Sequence, residues 1–120
     1  MKVIFHITTV KKWTAARKSK TKLYTPDAFA EEGFIHCCAS SQVAGVLNRY
    51  FKAEKEVLIL AIILERVQEH IKYEMSVMVD ELFPHLYCPL QVGCVASTFG
   101  INKDKSGNFD IPYYWLNAYV

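Results

Sequence analysis

The chain has 120 residues, of which 52% are hydrophobic and 22% are charged, with a formal net charge of +2. This length suits one hydrophobic core, and the composition excludes an intrinsically disordered chain. The small net charge gives no support to a nucleic-acid or membrane partner, and the longest apolar run, residues 57–64, is too short to span a bilayer.

The N-terminal segment predicts a strand followed by a helix. Residues 2–7 alternate in the manner of a β-strand, with Ile4 and His6 on one face. Thr8 or Thr9 is suited to cap the helix, because its hydroxyl can accept a hydrogen bond from a free backbone N–H. The apolar side chains that follow recur at three- and four-residue spacing, as they do in an amphipathic helix.

A short second helix and a second strand are expected next. Thr25-Pro26-Asp27 combines a cap, a proline suited to the first helical position and an acidic first turn, which predicts a helix start. Gly33 is expected to end that helix after only a few residues. Residues 34–38 then alternate as a strand, with Phe34 and His36 on one face.

The middle of the chain predicts a third helix and a central strand. Ser40 and Ser41 are suitable caps for a helix with an apolar stripe, and Asn48 lies on another face of it. The run 57–64 has no polar face, which predicts a strand covered on both sides. A further strand is expected at residues 71–73.

The last third of the chain predicts more strands and an aromatic C-terminal segment. Residues 82–87 are extended around Pro84, which cannot donate to a ladder and so indicates an edge strand or a turn. Residues 92–99 complete the predicted sheet. Residues 111–120 are expected to pack on the body of the protein, with self-association as the alternative. The whole chain, 1–120, is expected to form a single α+β domain with mixed or antiparallel sheets and two or three short helices.

Four cysteines indicate a reduced environment. Cys37 and Cys38 are adjacent, Cys88 and Cys94 are six positions apart, and no C-x-x-C pair is present. With no apolar leader apparent at the N-terminus, the sequence predicts a cytoplasmic protein whose thiols are small buried side chains. A nucleophilic cysteine is the alternative.

Three histidines, His6, His36 and His85, lie in apolar, strand-like segments. An imidazole in an apolar sheet is costly unless it is hydrogen-bonded or used, so three of them predict a lined cleft suited to acid–base chemistry. The carboxylates that are candidates to orient them are Glu32, Glu74 and Glu81. Two alternatives remain open. Each ring can bond to backbone in the core, or the three can form a dispersed metal site, although no close ligand pair such as H-x-x-x-H is present and no metal ligand is assigned.

These motifs also resemble a known family over about residues 3–112. The matching residues are Phe5-His6-Ile7-Thr8, Trp13, Tyr24 with Pro26, Glu32-Gly33-Phe34-Ile35-His36-Cys37, Gln42, Asn48, Phe51 and Leu82-Phe83-Pro84-His85-Leu86-Tyr87 with Pro89-Leu90. In these residues the chain is similar to the domain-of-unknown-function family 952 of bacteria and plants. The resemblance implies an α+β domain related in fold to the ADP-ribosyltransferases, which bind NAD in a cleft between two small sheets.

The resemblance also implies roles for individual residues. By this analogy His6 would contact the ribose of NAD, and Tyr24, Phe34 or Tyr87 would stack on nicotinamide. The residues implied to contact phosphate or ribose oxygens are His36 and His85. The candidate catalytic carboxylate is Glu81, with Glu74 as its alternative, and the further ligand-binding candidates are Glu32 and Asn48.

The family has no established activity, so the resemblance implies a ligand class more firmly than a reaction. We expect NAD or another nucleotide-like ligand and, if the protein is an enzyme, ADP-ribosyl transfer or NAD-glycohydrolase-like chemistry. A non-catalytic interaction domain with core histidines is the alternative.

Overall fold

The chain forms eight strands and five short α-helices within residues 1–119, the part that the computed structural model describes; Val120, the end of the predicted aromatic segment, lies outside it. The strands, in chain order, are β1 (Val3–Thr8), β2 (Leu23–Tyr24), β3 (Ile35–His36), β4 (Glu56–Ile63), β5 (Ile71–Met75), β6 (Leu82–Leu86), β7 (Leu90–Gln91) and β8 (Val95–Asn102). The helices are α1 (Val10–Lys18), α2 (Phe29–Glu32), α3 (Val43–Tyr50), α4 (Leu64–Val67) and α5 (Tyr113–Asn117).

Two three-stranded antiparallel sheets carry the fold. One has the order β1-β4-β8 and the other the order β3-β6-β5, while β2 and β7 pair as a small ribbon. Val57–Ile62 of β4 are all buried, as expected for a central strand with no polar face. The α+β class with antiparallel sheets is confirmed. The expected two or three helices are too few, because α4 and α5 are too short to display a periodic pattern.

The apolar side chains of β4 alternate between two hydrophobic clusters. Leu58, Leu60 and Ile62 join a cluster that includes Trp13 of α1. The intervening side chains join a second cluster that includes Leu116 of α5. The β1-β4-β8 sheet therefore has helices packed on both faces. None of the helices in residues 1–119 is long and apolar enough to cross a membrane.

The two larger sheets meet where β1 runs beside the chain that leaves β3. The Phe5 N–H donates to the Cys38 carbonyl at 2.8 Å, and the Cys38 N–H donates to the Phe5 carbonyl at 2.7 Å. His6 adds a third bond, with Nδ1 2.6 Å from the His36 carbonyl oxygen. We call this contact among Phe5, His6, His36 and Cys38 the sheet joint.

Two of the predicted helix boundaries are confirmed. Thr9 caps α1, accepting a hydrogen bond from the Lys12 N–H at 3.3 Å. Gly33 ends α2 with a φ of 82°, in the left-handed region, and its N–H bonds to the Phe29 carbonyl. Left-handed backbone is strained for residues with a Cβ, which explains glycine at this position.

Two predicted helix starts are wrong. The Thr25-Pro26-Asp27 segment is followed by a turn, closed by a hydrogen bond from the Phe29 N–H to the Pro26 carbonyl, so α2 begins only at Phe29. Ser40 and Ser41 belong to a turn of 3₁₀ helix, and α3 begins after it without a side-chain cap. In both segments the residue preferences indicated the right region of the chain, but the α-helix begins later than they predicted.

Pro84 was expected at an edge or a turn, yet β6 is the central strand of its sheet. The Pro84 carbonyl accepts from the Cys37 N–H at 3.1 Å, just past the end of β3. The N–H and C=O of one residue in an antiparallel strand face the same neighbour, so the missing N–H of proline faces the point where β3 stops. The lost hydrogen bond is therefore at the end of the ladder.

The C-terminal segment contacts the core directly. Leu116 is 1% exposed, and the Trp115 and Tyr119 rings lie 5.6 and 6.2 Å from the Phe5 ring. Tyr113 and Tyr114 of α5 are exposed. The buried face of α5 thus extends the second hydrophobic cluster over β1.

Candidate functional site

A cavity of about 670 Å³ is lined by residues of both three-stranded sheets. β1 contributes His6 and Thr8, and β2 contributes Tyr24. His36 from β3 and His85 from β6 line the same cavity. The structure therefore brings the three histidines selected from the sequence around one space.

His36 and His85 form a pair across β3 and β6. They are directly opposite each other in the antiparallel register, and their ring centroids are 5.3 Å apart. The Phe34 ring stacks on His85 at 4.1 Å and 15°, and it meets the His36 ring at 4.7 Å and 62°. One aromatic side chain thus restricts the orientation of both imidazoles.

Each of these two imidazoles has a carboxylate partner. His36 Nε2 lies 2.9 Å from Glu32 Oε2, and His85 Nδ1 lies 2.8 Å from Glu74 Oε1. The Tyr87 hydroxyl donates to the same Glu74 oxygen. Hydrogen bonds from Tyr87 and then from His85 lower the pKa of the Glu74 carboxyl, which keeps it ionised, and the bond to Glu74 raises the pKa of Tyr87.

His6 occupies a different environment from the other two. Its Nδ1 faces the His36 carbonyl, and its Nε2 lies 2.8 Å from the Tyr24 hydroxyl. Burial lowers the pKa of His6 to about 4, so the ring is neutral near pH 7. A carbonyl only accepts hydrogen bonds, so the proton of the neutral ring is on Nδ1 and Nε2 is an acceptor.

The Tyr24 hydroxyl completes this chain of hydrogen bonds. It lies 2.9 Å from Thr8 Oγ1, and burial raises the pKa of Tyr24 to about 12, which keeps the phenol protonated. The Tyr24 hydroxyl donates to Thr8 Oγ1, and it also lies within hydrogen-bond distance of His6 Nε2. Both ring nitrogens of His6 are therefore used within the protein.

Four of the residues predicted for the site do not line the cavity. In the part of the chain that the structure describes, the cavity wall does not include Glu81, its alternative Glu74, Asn48 or Tyr87. Glu81 accepts a hydrogen bond from Gln42 Nε2 at 3.2 Å, and Asn48 is exposed on α3. Tyr87 bonds to Glu74, and its ring centroid lies 5.2 Å from that of Phe34. The predicted residues that do line the cavity are His6, His36, His85, Tyr24, Phe34 and Glu32.

Several lining residues were not selected from the sequence. Lys12 of α1 lines the cavity, and its Nζ lies 3.2 Å from a carboxylate oxygen of Asp27. Tyr50, at the end of α3, also lines the cavity and is more than half exposed. The loop that includes Val77 and Met78 lines the cavity with strongly exposed apolar side chains. Helical spacing marks Lys12 only as a solvated position, so no sequence signal identified it.

The thiols and histidines offer little support for the alternative chemistries. Burial raises the pKa of Cys37 well above its ordinary value and that of Cys38 to about 12, so neither is a ready nucleophile. Within residues 1–119, no group of three His, Cys, Asp or Glu side chains is placed to hold a metal ion.

A family model described as "Protein of unknown function (DUF952)" matches residues 7–98. This range includes both strands that bring His36 and His85 together. The chain belongs to the DUF952 family. A comparison of this DUF952 domain with curated proteins gives no match.

Solved structures similar to this DUF952 domain share most of its length. It is similar to the crystal structure of protein CC0527 from Caulobacter crescentus, with 27% identity and a TM-score of 0.83, covering 97% of this chain and 99% of that one. The solution NMR structure of CC0527 matches with 29% identity and a TM-score of 0.74, covering 90% and 91%. These structures are described by protein name alone and not as ADP-ribosyltransferases, so the expected kinship with that fold is not confirmed.

Proposed function

We propose that this DUF952 domain binds a small nucleotide-like molecule, with NAD as the first candidate, in the cavity at the sheet joint. The observation that carries the proposal is the convergence of His36 and His85 on a cavity of about 670 Å³. Ligand pockets typically fall between about 300 and 1,000 Å³ and combine apolar walls with a few convergent polar groups. The kinship with ADP-ribosyltransferases that the sequence suggested, although not confirmed, agrees with the same ligand class by analogy only.

The charges around the cavity favour the nucleoside part of such a ligand over its phosphates. Lys12 is a lining cation, but it is paired with Asp27, and Glu32 and Glu54 are lining carboxylates. Exposed Tyr50 offers an aromatic face on which a base could stack. We therefore expect nucleosides and mononucleotides to bind at least as well as ADP-ribose or NAD.

A thermal-shift titration tests this proposal. Adenosine, AMP, ADP-ribose and NAD are each added to the parent protein, to His36→Ala, and to His70→Ala as a control whose exposed ring is outside the cavity. A ligand at one hundred times its Kd stabilises the folded state by about 2.7 kcal/mol. We expect a shift in the parent and in His70→Ala that His36→Ala reduces. A parent protein that no nucleotide or nucleoside stabilises contradicts the proposal.

A non-catalytic domain is the second candidate function, and His6 favours it. Both nitrogens of that ring are satisfied by the protein, as in a structural histidine that links two sheets. If His36 and His85 also act only in this way, their alanine variants will lose stability and no ligand will protect the parent. ADP-ribosyl transfer or NAD hydrolysis is tested separately, by nicotinamide release from NAD.

A further inference from the structure

We infer that His36 and His85 are a proton-transfer pair that hydrolyses a bond in the bound molecule. This inference deepens the proposed function and rests on it for the ligand class. It goes beyond binding because it assigns a reaction and two catalytic residues, with Glu32 and Glu74 as the residues that position them.

The carboxylates determine which nitrogen of each ring carries the proton. An ionised carboxylate only accepts hydrogen bonds, so the N–H lies on the nitrogen that faces it. His36 therefore donates from Nε2 to Glu32, and His85 donates from Nδ1 to Glu74. In their neutral forms the two rings are opposite tautomers, and each has its lone pair on the other nitrogen, which is Nδ1 in His36 and Nε2 in His85.

Both of these remaining nitrogens are accessible. Within residues 1–119, no buried side-chain nitrogen or oxygen lacks a hydrogen-bond partner. His85 Nε2 has no such partner in this part of the chain, so it must contact solvent although the residue is 8% exposed, and the residue lines the cavity. The His36 side chain is 59% exposed and lines the same cavity.

The contrast with His6 shows that this arrangement is not shared by every histidine in the cavity wall. His6 lines the same cavity, but both of its ring nitrogens are bonded to protein groups, so neither is available to a ligand. Among the histidines in residues 1–119, only His36 and His85 combine a carboxylate on one nitrogen with an accessible second nitrogen. A histidine with one nitrogen fixed by a carboxylate is the arrangement that orients a general base or acid.

The hydrolytic step needs one neutral ring and one protonated ring. The neutral imidazole takes a proton from water as the water oxygen bonds to the electrophilic phosphorus or carbon. The bond to the leaving oxygen or nitrogen breaks, the electron pair stays with the leaving group, and the protonated imidazole gives it a proton. The two rings finish in exchanged protonation states and are restored by proton exchange with solvent.

Burial assigns the two roles. We assign the exposed His36 as the acid and the buried His85 as the base. Nucleotide-like molecules contain two kinds of bond that this step could hydrolyse, the phosphoester and the N-glycosidic bond. In each case the leaving group gains a proton. Product analysis separates the two, because one releases phosphate or alcohol and the other releases the base.

The first test requires no substrate. Nitrogen-15 NMR of labelled histidine is expected to show the Nε2–H tautomer in His36 and the Nδ1–H tautomer in His85. Diethyl pyrocarbonate, which acylates accessible neutral imidazole, should modify His36 and His85 together with exposed His70, while His6 stays unmodified. In Glu74→Ala, His85 should lose its tautomer preference, with Glu81→Ala as the control because that carboxylate lies off the cavity.

An Nε2–H tautomer in His85, or protection of His85 as complete as that of His6, would overturn the inference. These results do not depend on a nucleotide, so they leave the binding proposal to its own titration.

The second test measures hydrolysis of four probes: adenosine, AMP, ADP-ribose and NAD. We expect one of them to be cleaved with a bell-shaped pH dependence, and the His36→Ala and His85→Ala variants to be slower by about 10²–10⁴-fold. His70→Ala should retain the parent rate. Binding of a probe without cleavage of any, or cleavage that survives both histidine substitutions, would overturn the catalytic inference while leaving the binding proposal standing.

Discussion

His6 lies in the cavity wall, but both of its ring nitrogens are bonded to groups of the protein. Its place in an apolar strand identified it as a histidine that needs partners, which the structure supplies at the His36 carbonyl and the Tyr24 hydroxyl. The sequence could not reveal those partners, because they lie 30 and 18 positions away along the chain. It also could not distinguish His6, with both nitrogens satisfied, from His36 and His85, each of which keeps one accessible nitrogen.

His6 should make the protein sensitive to acid. Its folded pKa of about 4 lies below the ordinary histidine value of 6.5, so between these pH values the unfolded chain binds a proton that the folded chain does not. The free energy of unfolding therefore falls as the pH is lowered from about 6.5 towards 4, by about 2–3 kcal/mol at pH 4.5. Urea unfolding at pH 7 and pH 4.5 measures this difference.

The matched control for that measurement is His6→Asn, whose side-chain amide retains a donor for the carbonyl but does not titrate. The variant should be less stable at pH 7 and should lose less stability on acidification than the parent. An equal loss in both proteins would assign the acid sensitivity to other groups.

Among the elements, the connection from α2 to β3 determines where Phe34 and His36 lie. The sequence identified this connection well, because a left-handed glycine at the end of a helix is a strong local signal. It placed Pro84 less well, since the absence of a donor at that position is harmless only because β3 ends beside it. The end of β3 and the position of Pro84 are far apart in the sequence, so neither segment alone predicts that they meet.

Gly33→Ala should lower stability through backbone strain alone. A Cβ at this position would meet nothing within 4 Å, yet the φ of 82° is unfavourable for alanine by about 1–2 kcal/mol. Gly93→Ala is the matched control, because a Cβ there also meets nothing and the backbone is not in the left-handed region. Chemical denaturation of both variants tests the prediction, and equal stabilities would remove strain as the explanation.

At the scale of the whole molecule, sequence reasoning recovered the class of fold but not its assembly. The apolar run at 57–64 correctly predicted β4, the central strand of the β1-β4-β8 sheet, since a strand covered on both faces needs no polar side. The pairing of His36 with His85 depends on β3 meeting β6 across 49 positions of chain, which no local pattern specifies. The site therefore emerges only when the sheets are assembled.

The C-terminal helix should contribute measurably to global stability. Leu116 is 1% exposed in the second hydrophobic cluster, so Leu116→Ala should cost about 2–5 kcal/mol, as buried leucines typically do. Tyr114→Ala is the control, because that ring is 79% exposed on the same helix. Thermal and urea unfolding measure both variants. If Leu116→Ala were as stable as the parent, α5 would be a dispensable attachment to the body.

The sheet joint contains fewer hydrogen bonds than the β-ladders within the sheets that it connects. β1 and β4 alone pair over six residues, whereas the joint consists of the Phe5 and Cys38 bridge and the His6 imidazole. The two sheets also share two hydrophobic clusters, and the cavity lies next to the joint. A molecule bound in the cavity would touch both sheets, and would therefore add contacts at the place where few hydrogen bonds connect them.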